Sequence, residues 1–163
     1  MPSQQAATPV ERQAKFDHFH AELAPVLIDF IDALGIEPAH EVLRQAGDYL
    51  PYVERALAEM AIADAEDRSW LLVRMMYFIG EYFAQQYGGY WYVIEGADAE
   101  SADLNMFGCC VVGKFNKFAN GALMVDPFEV ASAYVDLPCP RPLAMLIAAV
   151  ESGLIGANGQ GMH

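Results

Sequence analysis

The chain has 163 residues, 55% of them hydrophobic and 19% charged, and its 22 acids against 9 bases give a net charge of −13. That length fits one domain able to bury its own core, and that composition excludes general disorder. Residues 1–76 hold 13 acids and 6 bases and residues 77–163 hold 9 and 3, so the whole body is acidic; it repels phosphate backbones, which argues against nucleic-acid binding, and it steers a basic protein partner inward.

Residues 1–8 read as a flexible polar arm. They lack a basic segment followed by an apolar run, so no signal peptide is expected. No apolar run approaches the roughly 18–20 residues of a membrane span, which makes a soluble, cytoplasmic protein the expectation. Thr8 and Pro9 are start signals for a first helix. Phe16, Phe19, Leu23, Leu27, Phe30 and Ile31 recur along it at helical spacing, and Pro25 is expected to kink or split it. Pro38 to Ala46 reads as a short second helix closed by Gly47. Asp48 caps a third, with Tyr52, Val53, Leu57 and Met60 on its inner face. Asp64 to Asp67 is an acidic connector placed to cap a fourth helix, about Glu66 to Tyr87. This helix is almost wholly apolar apart from Arg74, Glu81, Gln85 and Gln86, so it is expected inside the fold.

Gly88-Gly89 stops it, and Tyr90 to Glu95 is aromatic and β-branched, a strand signal. Gly96 to Asn105 is an acidic loop. Met106 to Phe115 reads as a second strand, Asn120-Gly121 as a turn and Ala122 to Val125 as a third strand. Asp126-Pro127 opens another helix, with Asp126 as its cap. After Pro138-Cys139-Pro140-Arg141-Pro142, Leu143 to Ser152 is a last apolar helix. The fold class is therefore α+β: N-terminal helices, a three-stranded antiparallel meander covered by a long apolar helix, and one or two C-terminal helices. Residues 9–152 form the single domain, and 153–163 read as a flexible glycine-rich tail.

The chemistry-bearing residues form no strong signature. Cys109 and Cys110 would point to opposite faces of a strand, a poor disulfide, and with Cys139 they suit reduced thiols. His18, His20, His40 and His163 have no ligand spacing, so no metal is expected, and no phosphate loop or serine elbow marks a cofactor or a nucleophile. Arg74 and Glu81 share one helix stripe but stand roughly 10 Å apart along its axis, so they cannot pair directly. They remain candidates to line a small-molecule pocket between helix 66–87 and the sheet. Tyr90 and Tyr92 face the same way, opposite to Trp91. If Trp91 enters the core, they form an outward aromatic patch beside Asp98, Glu100 and Asp103, with aromatic anchors and a carboxylate rim.

The order Ile79-Gly80-Glu81-Tyr82, Gly88-Gly89-Tyr90-Trp91, a meander and then Asp126-Pro127-Phe128-Glu129-Val130 resembles a pattern in small bacterial proteins, some of them similar to immunity proteins encoded beside secreted antibacterial toxins. The likeness covers about residues 70–136, its motifs are generic, and no residue's role is carried over by it. It implies an acidic cytosolic binder that occupies the active cleft of a toxin. The leading expectation is thus a non-enzymatic protein-binding protein, an immunity protein or inhibitor of a basic toxin. A small-molecule-binding protein or enzyme using Arg74 and Glu81, and a homodimer or larger homo-oligomer built on a bare strand or the last helix, are the alternatives.

Overall fold

The computed structural model describes residues 9–94 and 110–160. Helix α1 spans Pro9–Ala33 and buries Phe16, Phe19, Leu23, Leu27, Phe30 and Ile31 along one stripe. Pro25 lies within it without splitting it. The carbonyl that Pro25 leaves without an N–H partner belongs to Ala21, an exposed residue, so water can satisfy it.

A 3-10 turn over Ala39–Glu41 leads into α2, Val42–Leu57, which buries Val42, Ala46, Tyr49, Val53 and Leu57. The break expected at Gly47 falls at Gln45, whose backbone is non-helical (φ −135°, ψ 44°). The kink opens the bond that Ala46 N–H would make to the Val42 carbonyl four residues earlier. The Gln85 side chain fills that gap: its Oε1 accepts from Ala46 N at 2.7 Å and its Nε2 donates to Val42 O at 3.0 Å. A kink thus has a definite cause, an amide inserted into the helical ladder. It also rotates the helix that follows, so Tyr49 turns inward and Tyr52, expected inside, is 55% exposed.

Helix α3, Ala65–Tyr87, is the centre of the fold. Asp64 caps it by accepting from Asp67 N at 2.8 Å, while Asp67 accepts from Ala63 N at 3.2 Å. Its start is not apolar: Glu66, Asp67, Ser69 and Trp70 are exposed, and continuous burial runs from Met75 to Gly80. It stops at Gly88, whose φ of 67° lies in the left-handed region that favours glycine.

Three strands follow as an antiparallel meander: β1 Tyr90–Val93, β2 Cys110–Gly113 and β3 Met124–Val125. β1 ends at Val93 and β2 at Gly113, each before the end of its sequence signal, and β3 starts only at Met124; residues 106–109 lie outside the described residues. Asn120 makes the connecting turn, its Oδ1 accepting from Ala122 N at 3.0 Å. The register pairs Trp91 with Val112 and Val112 with Val125, so these three share the inner face and are buried. That face lies on α3, with α1 against β1.

Gly80 fixes how closely the layers meet: a Cβ there would stand 2.0 Å from Cζ2 of Trp91. The indole therefore lies flush on α3, edge-on to Phe19 and Tyr77 at centroid distances of 5.5 and 6.4 Å.

Helix α4, Pro127–Val135, is capped as its sequence implies, with Asp126 accepting from Phe128 N and Glu129 N at 3.0 and 3.3 Å. It packs on α3 and β2. Arg141, buried in the linker that follows, donates from Nη1 to the Leu57 and Met60 carbonyls at 3.0 and 2.9 Å, closing the end of α2 with a cation.

The last helix, α5, runs Leu143–Gln160 and corrects the tail expected from residue 153. Each interior glycine costs a helix about 1 kcal/mol, but α5 is held from its inner side. Leu154 is buried, Asn158 Oδ1 accepts from Asn120 N at 3.0 Å, and Glu151 Oε2 accepts from the Tyr82 and Tyr87 hydroxyls at 3.1 and 2.5 Å. Residues 1–8 lie outside the described residues. Among the described residues no helix is long and apolar enough to cross a membrane.

Candidate functional site

The alternation that sends Trp91 inward sends its neighbours outward. Tyr90 pairs with Gly113 and Gly113 with Met124, while Tyr92 pairs with Val111. These residues therefore share the outer face of the sheet. Tyr90 is 67% exposed and Met124 44%, whereas Trp91 is 8% exposed.

Tyr92 lies across this face. Its hydroxyl reaches Met124 Sδ at 3.7 Å, and its path runs over Gly113, where a Cβ would stand 2.8 Å from the hydroxyl oxygen. Lys114, just past β2, holds its Nζ 4.7 Å from the centroid of the Tyr92 ring, a cation–π contact. Its backbone is left-handed, with φ 54°, a conformation that costs a side-chain-bearing residue of order 1 kcal/mol. Burial pushes the Tyr92 hydroxyl above its ordinary range, so it stays a neutral donor.

From this face a cleft of about 650 Å³ runs round the edge of β1 to α1, between Phe16, Trp91, Tyr92, Ile94, Lys114 and Met124. The face thus offers aromatic and thioether area, phenol hydroxyls and one cation. Such a set makes contacts and hydrogen bonds; among the described residues it carries no paired acid and base aimed at a common point.

The sequence-derived residues divide as follows. Tyr90 and Tyr92 stand together on the outer face. Asp98, Glu100 and Asp103 lie outside the described residues, as do Cys109 and His163. Arg74 and Glu81 are not brought together. Arg74 lies along its own helix, its Nη1 donating to the Trp70 carbonyl at 3.0 Å and its guanidinium 4.4 Å from the Trp70 ring centroid. Glu81 lies under the sheet, accepting from Trp91 Nε1 at 3.0 Å and from Gln85 Nε2 at 3.2 Å. It joins a polar seam from β1 through α3 to the kink of α2, and Trp91 fills the space beside it.

His18, His20 and His40 are exposed, and among the described residues no group of three His, Cys, Asp or Glu side chains could hold a metal ion. Cys110 is buried on the inner face and Cys139 is exposed.

Two members of the face, Met124 and Lys114, carry no sequence signal of their own. Met124 is identified by its register with Gly113 and its contact with the Tyr92 hydroxyl, and Lys114 by its position over the Tyr92 ring. Comparison of the chain with protein-family models, with curated proteins and with solved structures finds no match.

Proposed function

We propose that this chain is a protein-binding protein that recognises a basic partner through the outer face of its sheet. Tyr90, Tyr92 and Met124 form the anchor region. Asp98, Glu100 and Asp103, in the connection between β1 and β2, supply the acidic rim. An inhibitor of a basic bacterial toxin, as immunity proteins are, is the form of this reading that the sequence resemblance suggests.

The observation that carries it is the exposure of Tyr90 and of Met124, in one row across the sheet with Gly113 between them, on a face whose reverse is the core. Exposed tyrosine is the residue type that anchors interfaces, because it brings large area at little entropic cost. The net charge of −13 supplies long-range attraction for a basic protein.

The test is capture of partners from lysate of the source cell by the parent chain and by Tyr90→Ala/Tyr92→Ala, followed by kinetics on the purified partner. The expected result is one basic protein held by the parent and lost by the variant, with an on-rate that falls as salt rises. A partner bound equally by both chains, at a salt-independent rate, would refute the proposal.

One observation favours a second reading, self-association through α5. Its outward side shows Met145 (72% exposed), Ile155 (57% exposed), Ala148, Ala149, Ser152 and Gly156, with no charge. A Cβ on Gly153 or Gly156 would meet nothing within 4 Å, so neither glycine is required by the chain's own packing. Two copies of so acidic a body would meet best on an uncharged face. Sedimentation of the parent and of Ala149→Glu distinguishes this reading: a dimer abolished by the added charge supports it, and a monomer at high concentration removes it.

A further inference from the structure

At the opposite end of α1 from the arm, the chain turns into α2 round a second cavity. It holds about 360 Å³ between Gly35, Ile36, Glu37, Asp48, Tyr49 and Tyr52, within the size range of small-ligand sites. We propose that this cavity binds an organic cation, a guanidinium or alkylammonium group.

The walls are of two kinds. Tyr49 and Tyr52 provide aromatic surface, and a cation seated against a ring face is attracted by the ring quadrupole. Tyr49 is set in place: it is buried, and its hydroxyl donates to the Pro38 carbonyl. Tyr52 stands at the mouth, 55% exposed. Glu37 and Asp48 provide the charge. Among the described residues neither Glu37 nor Asp48 is neutralised by an ion pair.

Burial is the main cause that holds the Tyr49 hydroxyl above its ordinary range, and the charges of Glu41 and Asp48 add to it. An anion would meet these carboxylates unaided. A bare metal ion would find two carboxylates but an aromatic and aliphatic remainder, which gives it few of the six or more oxygens a calcium ion takes. A delocalised or alkylated cation matches both walls at once. The group could come from a free amine or from an arginine or lysine side chain of a partner, and the chemistry is the same.

The test is titration of the full chain with Nα-acetyl-argininamide (argininamide below), followed by amide chemical shifts, against Nα-acetyl-citrullinamide (citrullinamide below), which is neutral once its α-amine is blocked, and against calcium. Saturable shifts confined to residues 35–37 and 48–52 are expected with argininamide only. Tyr52→Leu and Asp48→Asn, both changes at exposed positions, should each weaken the affinity about threefold. A short arginine peptide that binds tighter than argininamide identifies a side-chain ligand, and equal affinity identifies a free amine; either outcome supports the proposal. No saturable response, an equal response to citrullinamide, a site taken by calcium instead, or an affinity untouched in the double variant would overturn it. Tyr90→Ala leaves this cavity intact, so failure here is separable from failure of the sheet-face proposal.

Discussion

Replacing Gly80 with alanine should damage the junction between α3 and the sheet more than a single methyl suggests. The new Cβ would stand 2.0 Å from Cζ2 and 2.2 Å from Cη2 of Trp91, so the indole must move. It has little room to do so, with Phe19 and Tyr77 on its edges and its Nε1 bonded to Glu81 at 3.0 Å. Overpacking costs about 1–3 kcal/mol. Loss of a hydrogen bond to a charged acceptor costs about 1.5–3 kcal/mol. The gain in helix propensity on replacing glycine returns about 1 kcal/mol. The net expectation is a loss of about 1.5–5 kcal/mol, a large share of the total stability of a domain this size. Urea unfolding followed by circular dichroism measures it. Tryptophan emission in a Trp70→Phe background reports Trp91 alone, and should shift to the red as the ring leaves its site. A Gly80→Ala chain as stable as its parent, with unchanged Trp91 emission, would refute the reasoning.

Gln85→Ala should cost about 2–3 kcal/mol in urea unfolding, because it strands Ala46 N–H and the Val42 carbonyl at a part-buried kink. Gly153→Ala should instead stabilise the chain by about 1 kcal/mol, since its Cβ meets open space and the helix gains propensity. Above pH 10 the fold should weaken in alkaline titration. Burial raises the Tyr77, Tyr82 and Tyr134 hydroxyls from 10.0 to about 12. The unfolded chain therefore releases those protons first, and the stability present below pH 10 is lost progressively towards pH 12. Tyrosinate absorbance that rose together with unfolding would confirm the link, and full ionisation of these groups near pH 10 in a folded chain would contradict it.

What the sequence makes legible follows the range over which each signal acts. Asp64 and Asp126 were readable as caps because a cap bonds its own next turn. The direction of Trp91, and hence of Tyr90 and Tyr92, followed from strand alternation once one member was assigned to the core. The kink at Gln45 was not readable, because its cause is Gln85, forty residues on and on another helix. That kink displaced Tyr52 from the inner side and Tyr49 into it. The glycines after residue 152 read as a tail because each is a poor helix former. The contacts that hold them helical, from Tyr82, Tyr87 and Asn120 to α5, are all distant in sequence. Arg74 and Glu81 looked alike on one stripe and differ because of what packs beside each: Trp70 for the first, Trp91 for the second.

The same contrast separates exposed aromatic residues that serve the fold from those left for a partner. Trp70 is 39% exposed, yet it is already engaged, edge-on to Phe30 at 5.6 Å and beneath the Arg74 guanidinium. Tyr90 is more exposed, at 67%, and no ring, ion or hydrogen-bond partner holds its side chain among the described residues. Trp70→Ala should therefore lower stability by about 1–2 kcal/mol through the lost aromatic and cation contacts. Tyr90→Ala should change it by less than about 0.5 kcal/mol, as surface substitutions usually do. A tyrosine that the fold does not need, on the same sheet face as an exposed methionine, is a cost in solubility that a binding role would offset. If Tyr90→Ala instead destabilised the chain as much as Trp70→Ala, Tyr90 would be part of the structure, and the outer face would lose its claim as the recognition surface.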